Sequence, residues 1–255
     1  MVRALRLGDG TLAQFNGGFE EDRTFIDMVL ANTGVRSKAL NSAPHSGFQR
    51  LAAGRTLIVA DTGKPVRASR RNNHAGTLSF EMSVGKDRLV VNCGTASSEG
   101  DQWFYAMQAT AAHSTLMANG KSSSQFDNNG LLLLGPLNVE CTRREADGAV
   151  WLETSHDGFR NSVGIIHRRK LYLDASGEDF RGEDVIEGSG GRDFTVRFHL
   201  HPSVHASQAQ GRTNVLLKLN NGAGWKFQAS GGTITLQESV YLNGPREVRR
   251  CNQIV

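Results

Sequence analysis

The sequence predicts a mainly β fold: a two-layer antiparallel β-sandwich preceded by a short N-terminal helical segment. Three observations predict it. The apolar period falls from helical spacing to about two near residue 45. Across 255 residues, 29 Gly stand against only 5 Pro, the composition of many strands joined by tight turns. No helical crossover pattern separates the later strands, so neighbours should pair antiparallel and bury their apolar faces by stacking in two layers.

In chain order, the spacing of Phe19, Phe25, Ile26, Val29 and Leu30 predicts a helix over 18–33, with acidic residues in its first turn and Gly34 as its stop. Thr56 to Ala60 is an apolar strand run. Leu78, Phe80, Met82 and Val84 alternate with Thr77, Ser79, Glu81 and Ser83, the pattern of a half-buried strand. The turn Gly85–Arg88 leads into Leu89–Cys93, which reads as a hairpin. Further strands are predicted at 148–156, 163–174, 180–187, 193–201, 213–219, 224–229 and 232–242. The Ser/Asn-rich stretch 119–130 reads as a long surface loop. No internal repeat or linker interrupts the chain.

A formal charge of +4 and a pI near 9.1 favour an acidic partner, nucleic acid or anionic polysaccharide. Three Trp and three Tyr, with no interleaved Lys/Arg ladder, argue against nucleic acid. Cys93, Cys141 and Cys251 form no CxxC pair and are odd in number, so no disulfide framework is expected. The N-terminus lacks the apolar stretch of a signal peptide, and no run approaches the ~18 apolar residues of a membrane span. No membrane partner is expected, and bacterial cytoplasm and periplasm both remain open as locations.

Two segments hold the most suggestive side chains, Asn72 to Glu81 and Ala109 to Leu116. His74 shares strand parity with Leu78 and Phe80 and should face inward if the strand extends back through Gly76. There it is either a hydrogen-bonded core histidine or a metal ligand, and His113 poses the same choice. His199 and His201, two apart, would project from one strand face about 7 Å apart, though Pro202 ends that strand. His156 reads as a turn residue, His167 as a strand-face residue, and the basic run 167–170 as a solvated sheet face. No Gly-x-Ser-x-Gly elbow, phosphate loop or His-Glu-x-x-His helix is present, which disfavours hydrolase, nucleotide and zincin chemistry.

Six motifs in order resemble the heparinase II/III-like family: Asn73 to Glu81, Val91 to Gly94, Ala109 to Leu116, Ser155 to Phe159, His167 to Leu171 and Arg197 to Pro202. Phe15 to Gly18 and the following helix are similar to the end of the helical domain that precedes the sheets. The resemblance implies residues 1–44 as a remnant of that domain or an N-terminal extension, and 45–255 as the C-terminal β-sandwich. Such proteins join an (α/α) toroid to the sandwich and cleave acidic polysaccharides by β-elimination, which needs a carboxylate neutraliser, a base and an acid. The family's tyrosine and most of its helpers sit on the toroid, which is missing from this chain.

The resemblance also implies a sandwich metal site, often zinc, carried onto His74, Asn92 and His113. Asn92 stands where the family has an aspartate, and an amide is a poorer zinc ligand. Asn72 stands where relatives often have a substrate-facing histidine; it can hydrogen-bond but cannot titrate. Tyr105, between the two metal-site segments, is the tyrosine to examine for catalysis. The leading expectation is therefore the non-catalytic half of a uronate-polysaccharide lyase that supports the toroid and lines an acidic-glycan cleft. A carbohydrate-binding or structural module is the alternative, and a metal enzyme built on His199 and His201 ranks third.

Overall fold

A computed structural model describes residues 1–66, 72–96, 102–190, 193–209, 213–244 and 247–255. Its largest sheet has eight strands in the order Ser42–Ala43, Phe48–Ala53, Thr56–Asp61, Phe80–Val84, Asp87–Val91, Phe198–Leu200, Glu247–Ile254 and Leu236–Gly244. A four-stranded sheet orders Phe180–Gly188, Ile165–Leu173, Ala149–His156 and Val139–Ala146, and a three-stranded one orders His205–Gln208, Asn214–Lys218 and Gly224–Gln228. All their pairings are antiparallel, as the lack of crossover helices requires.

One continuous core joins the layers. Leu51, Ile58, Phe80 and Met82 of the large sheet pack with Leu152, Leu171 and Leu173 of the four-stranded sheet and with Val215 and Leu217 of the three-stranded one. Phe80 meets Phe180 edge-on at 5.2 Å, and Phe198 meets Phe227 at the same centroid distance. This is the sandwich the alternation predicts.

The strand Phe80–Val84 is buried along its whole length rather than on one face. The N-terminal residues cause the difference by packing over the outer face of the sheet. Leu7, Ala13 and Phe15 cluster with Val59, the Gly8 amide donates to Ser83 Oγ, and Arg88 pairs with Asp9. Further along, the Tyr241 hydroxyl donates to Glu20 at 2.8 Å, tying this strap to the penultimate strand.

The helix is shorter than its spacing predicts, Arg23–Asn32, because Asp22 caps it by accepting from the Thr24 amide. The acidic residues thus precede the first turn, and Phe25 lies half-exposed while Ile26 and Leu30 are buried. The predicted strand over 193–201 is interrupted at Arg197, whose amide donates to Thr115 O; Phe194–Val196 instead pairs with Leu116–Ala118. Val139–Ala146 was not predicted, since its charged residues show no apolar alternation, and it forms the outer strand beside Ala149–His156.

Candidate functional site

The strand carrying Phe80 begins only at that residue, so His74 does not reach the interior by strand parity. Gly76, Thr77 and Leu78 turn instead: the Ser79 amide donates to Gly76 O, and Leu78 adopts φ 64°, a left-handed conformation uncommon for a branched side chain. Gly76 is required because a Cβ there would lie 2.6 Å from the His113 ring. The turn places His74 Nδ1 3.3 Å from His113 Nε2, with the rings nearly perpendicular.

The hydrogen bonds assign the tautomers. His113 Nδ1 faces the Ala109 carbonyl at 2.9 Å and must carry the proton, leaving its Nε2 as an acceptor for the Nδ1–H of His74. Burial holds both imidazoles neutral: His74 is driven well below the usual histidine range, with the neighbouring His113 adding to the effect, and His113 falls to about 4.

Asn92 hydrogen-bonds the residue that follows His113, and its side chain is engaged with backbone. Its Oδ1 accepts the Ser114 amide at 3.0 Å, its Nδ2 donates to Gln14 O at 3.1 Å, and its own amide donates to Glu81. Two imidazole nitrogens bonded to one tetrahedral zinc would stand about 3.3–3.4 Å apart, so the His74–His113 spacing suits an ion as well as a hydrogen bond. Tight retention needs at least a third donor, however, and the Asn92 carbonyl is committed to the backbone. Among the described residues no group of three or more His, Cys, Asp or Glu side chains is arranged to hold a metal ion. The donor set does not fit a tightly held zinc.

His74 borders a cleft of about 620 Å³ whose walls also include Asn16, Asp61, Lys64 and Asn72. Asn72 is exposed at its rim, against Gly17. No tyrosine lines the cleft among the described residues. Tyr105 sits half-exposed on the short helix Phe104–Gln108 and donates its hydroxyl to Asn128 O. Tyr241 is buried against Glu20, and Tyr172 stacks on Trp151.

The proposed His199–His201 chelate does not form. The strand ends at Leu200, and each imidazole is engaged separately, with no metal-holding group of three or more His, Cys, Asp or Glu among the described residues. His199 bonds Ser239 Oγ and Ala111 O through its two nitrogens, while His201 turns to Ser203 and packs against Tyr241. His156 and His167 are both buried: His156 ends its strand rather than lying in a turn, and His167 is on a strand face as read, the inward one. The Gly158 amide donates to His156 Nδ1, so His156 Nε2–H donates to His167 Nδ1 at 3.2 Å and His167 Nε2–H to Asp184 at 2.7 Å.

Arg169, read from sequence as part of a solvated face, is buried and ion-paired with Asp184; its Nη1 donates to the carbonyls of Leu78 and Ser114, both at 2.9 Å. A guanidinium from the second sheet thereby fixes both segments that bear the imidazoles. The alternation of Ile165, His167, Arg169, Leu171 and Leu173, all buried, is the signal that could have found it. Arg168 and Lys170, on the other parity, are solvated and paired with Glu187 and Glu183.

Residues 35–255 match the family described as Heparinase II/III-like, C-terminal. The chain belongs to this family. Two solved structures share the fold. Heparan sulfate lyase HepC from Pedobacter heparinus superposes with a TM-score of 0.75 at 15% identity, over 98% of this chain and 42% of that one. A heparinase III superposes with a TM-score of 0.74 at 15% identity, over 99% and 42%. Among curated proteins, FtsZ-localized protein C of Caulobacter vibrioides is 32% identical over 100% of this chain and 47% of its own length. The chain spans about half the length of that relative.

Proposed function

We propose that this chain is the non-catalytic half of a uronate-polysaccharide lyase, binding an acidic glycan in the cleft beside His74 and supporting a helical toroid. The observation that carries the reading is the composition of that cleft: the amides of Asn16, Asn72 and Asn73, the imidazoles of His45 and His74, Lys64 and the Asp61 carboxyl, with no tyrosine among its described residues. Asn72 at its rim can hydrogen-bond a sugar but cannot move a proton at neutral pH. Residues 1–44 read as the final piece of the helical domain or as an N-terminal extension.

The test is incubation of the purified chain with a uronate polymer, following absorbance of the unsaturated product, alongside affinity electrophoresis in the same polymer. We expect retarded migration and no product. Robust product formation would show that the half-site is catalytic, and unretarded migration would remove glycan binding.

The match to FtsZ-localized protein C, at about twice the identity of the lyases, favours a second reading, a binding module that localises with FtsZ. Co-sedimentation with polymerised FtsZ in the absence of glycan would select it.

A further inference from the structure

The wall of the cleft that carries His74 also carries a carboxyl that the β-elimination scheme does not use. Asp61 ends the strand Thr56–Asp61 and is buried. Its Oδ1 accepts the Gly63 amide at 3.0 Å, but its Oδ2 has only the Asn16 amide group, at 3.5 Å, the outer limit of a hydrogen bond. No lysine, arginine or histidine forms an ion pair with it among the described residues. A buried carboxyl of the cleft wall is thus held by one short hydrogen bond and one at the distance limit, an arrangement that disfavours the ionised form.

Asn16 is held in place at some expense. Its backbone sits at φ 48°, a left-handed conformation that asparagine tolerates better than most residues. This turns its Oδ1 to accept the His74 amide at 3.2 Å while its Nδ2 points to Asp61. The strap, the end of an inner strand and the imidazole turn thus meet at one wall. Backbone strain of this kind concentrates at binding sites.

We propose that Asp61, oriented by Asn16, is a recognition residue of the cleft that donates a hydrogen bond from its protonated carboxyl to the carboxylate of a uronic-acid unit, with Lys64 supplying countercharge at the rim. The inference rests on the glycan-binding reading above and names the sugar group that the site selects. A carboxylate at this position would repel a uronate, whereas a carboxylic acid is a strong donor to one. Burial supports the protonated form, raising Asp61 to about 7 against the opposing pull of the Gly63 amide and Asn16. Among the described residues, the other titratable groups facing the cleft are His45, His74 and Lys64.

The experiment is calorimetric titration of the chain, between pH 6 and pH 8, with a glucuronate-containing hexasaccharide and with its carboxyl-reduced counterpart. The wild type should bind the acidic sugar about tenfold more weakly at the upper pH, as Asp61 ionises, and bind the reduced sugar with much less pH dependence. Asp61→Asn keeps the shape and a donor but cannot ionise, and should flatten the profile for the acidic sugar. Equal pH profiles for wild type and Asp61→Asn would overturn the assignment of Asp61 while leaving glycan binding intact. Absence of binding by the wild type to either sugar at any pH would overturn both. Should Asp61→Asn fail to fold, the wild-type contrast between acidic and reduced sugars decides alone, and identical pH dependence for the two would refute the proposal.

Discussion

Asn92 links three pieces of backbone, accepting from Ser114, donating to Gln14 and donating through its own amide to Glu81. Replacing it with aspartate would set a carboxylate oxygen against the Gln14 carbonyl and remove a buried donor, a loss of about 1–3 kcal/mol in the metal-free protein. The same change adds the anionic donor that the two imidazoles lack. We expect Asn92→Asp to lower the thermal midpoint in a chelator and to show a larger upward shift with added zinc than the wild type shows. A variant whose midpoint ignores zinc would mean that the carboxylate does not reach the imidazoles. His74 and His113 were legible in sequence as a pair through family motifs, but the turn that brings them together was not. Alternation through Thr77 to Val84 looks regular, and only the left-handed Leu78 with the close approach of Gly76 to His113 reveals that the strand starts later.

At the scale of the elements, Arg169 joins the layers. Its strand belongs to the four-stranded sheet, yet its guanidinium caps the Leu78 and Ser114 carbonyls on the opposite side of the core. Arg169→Met would leave Asp184 without its cation and two buried carbonyls without donors. Breaking a buried pair in this way should destabilise by about 3–5 kcal/mol, measured as a fall in the urea midpoint. A loss under about 1 kcal/mol would show that water replaces the guanidinium. Period-two alternation made the inner strands readable because their two faces differ. It was silent for Val139–Ala146, which is solvated along most of its length, and misleading for 167–170, where the inward residues are themselves polar and satisfied by Asp184. Asp61 and Asn16 escaped notice for a related reason: their meeting depends on the strap crossing the sheet, which no local pattern encodes.

Across the whole molecule, the buried titratable groups set the response to acid. Burial lowers His74, His113, His156, His167, His199 and His201 below the usual histidine range, to about 4 for His113 and His201 and about 3 for His199. Below about pH 6.5 the unfolded chain protonates these residues first, so stability falls with pH at up to about 1.4 kcal/mol per unit for each, until the folded value is reached. Asp61 and Glu81, both raised to about 7 by burial, act oppositely: the folded state holds their protons, and stability rises as pH falls from 7 towards the ordinary carboxylate range. Six histidines against two carboxyls give net acid sensitivity. The urea midpoint should drop steeply between pH 6.5 and pH 4.5; a flat profile there would mean that the imidazoles are hydrated in solution.

The strap that covers the outer face of the large sheet has a consequence for the order of assembly on the ribosome. Its anchors are remote: Gly8 waits for Ser83, Asp9 for Arg88, and Glu20 for Tyr241, a separation of 221 residues. The outer face of the sheet, with the buried ends of Glu81 and Arg88, therefore cannot be sealed completely until nearly the last strand has emerged. Contacts so distant in sequence close slowly, and the nascent chain exposes a half-finished sheet for most of its synthesis, a window in which strand edges are open to wrong partners.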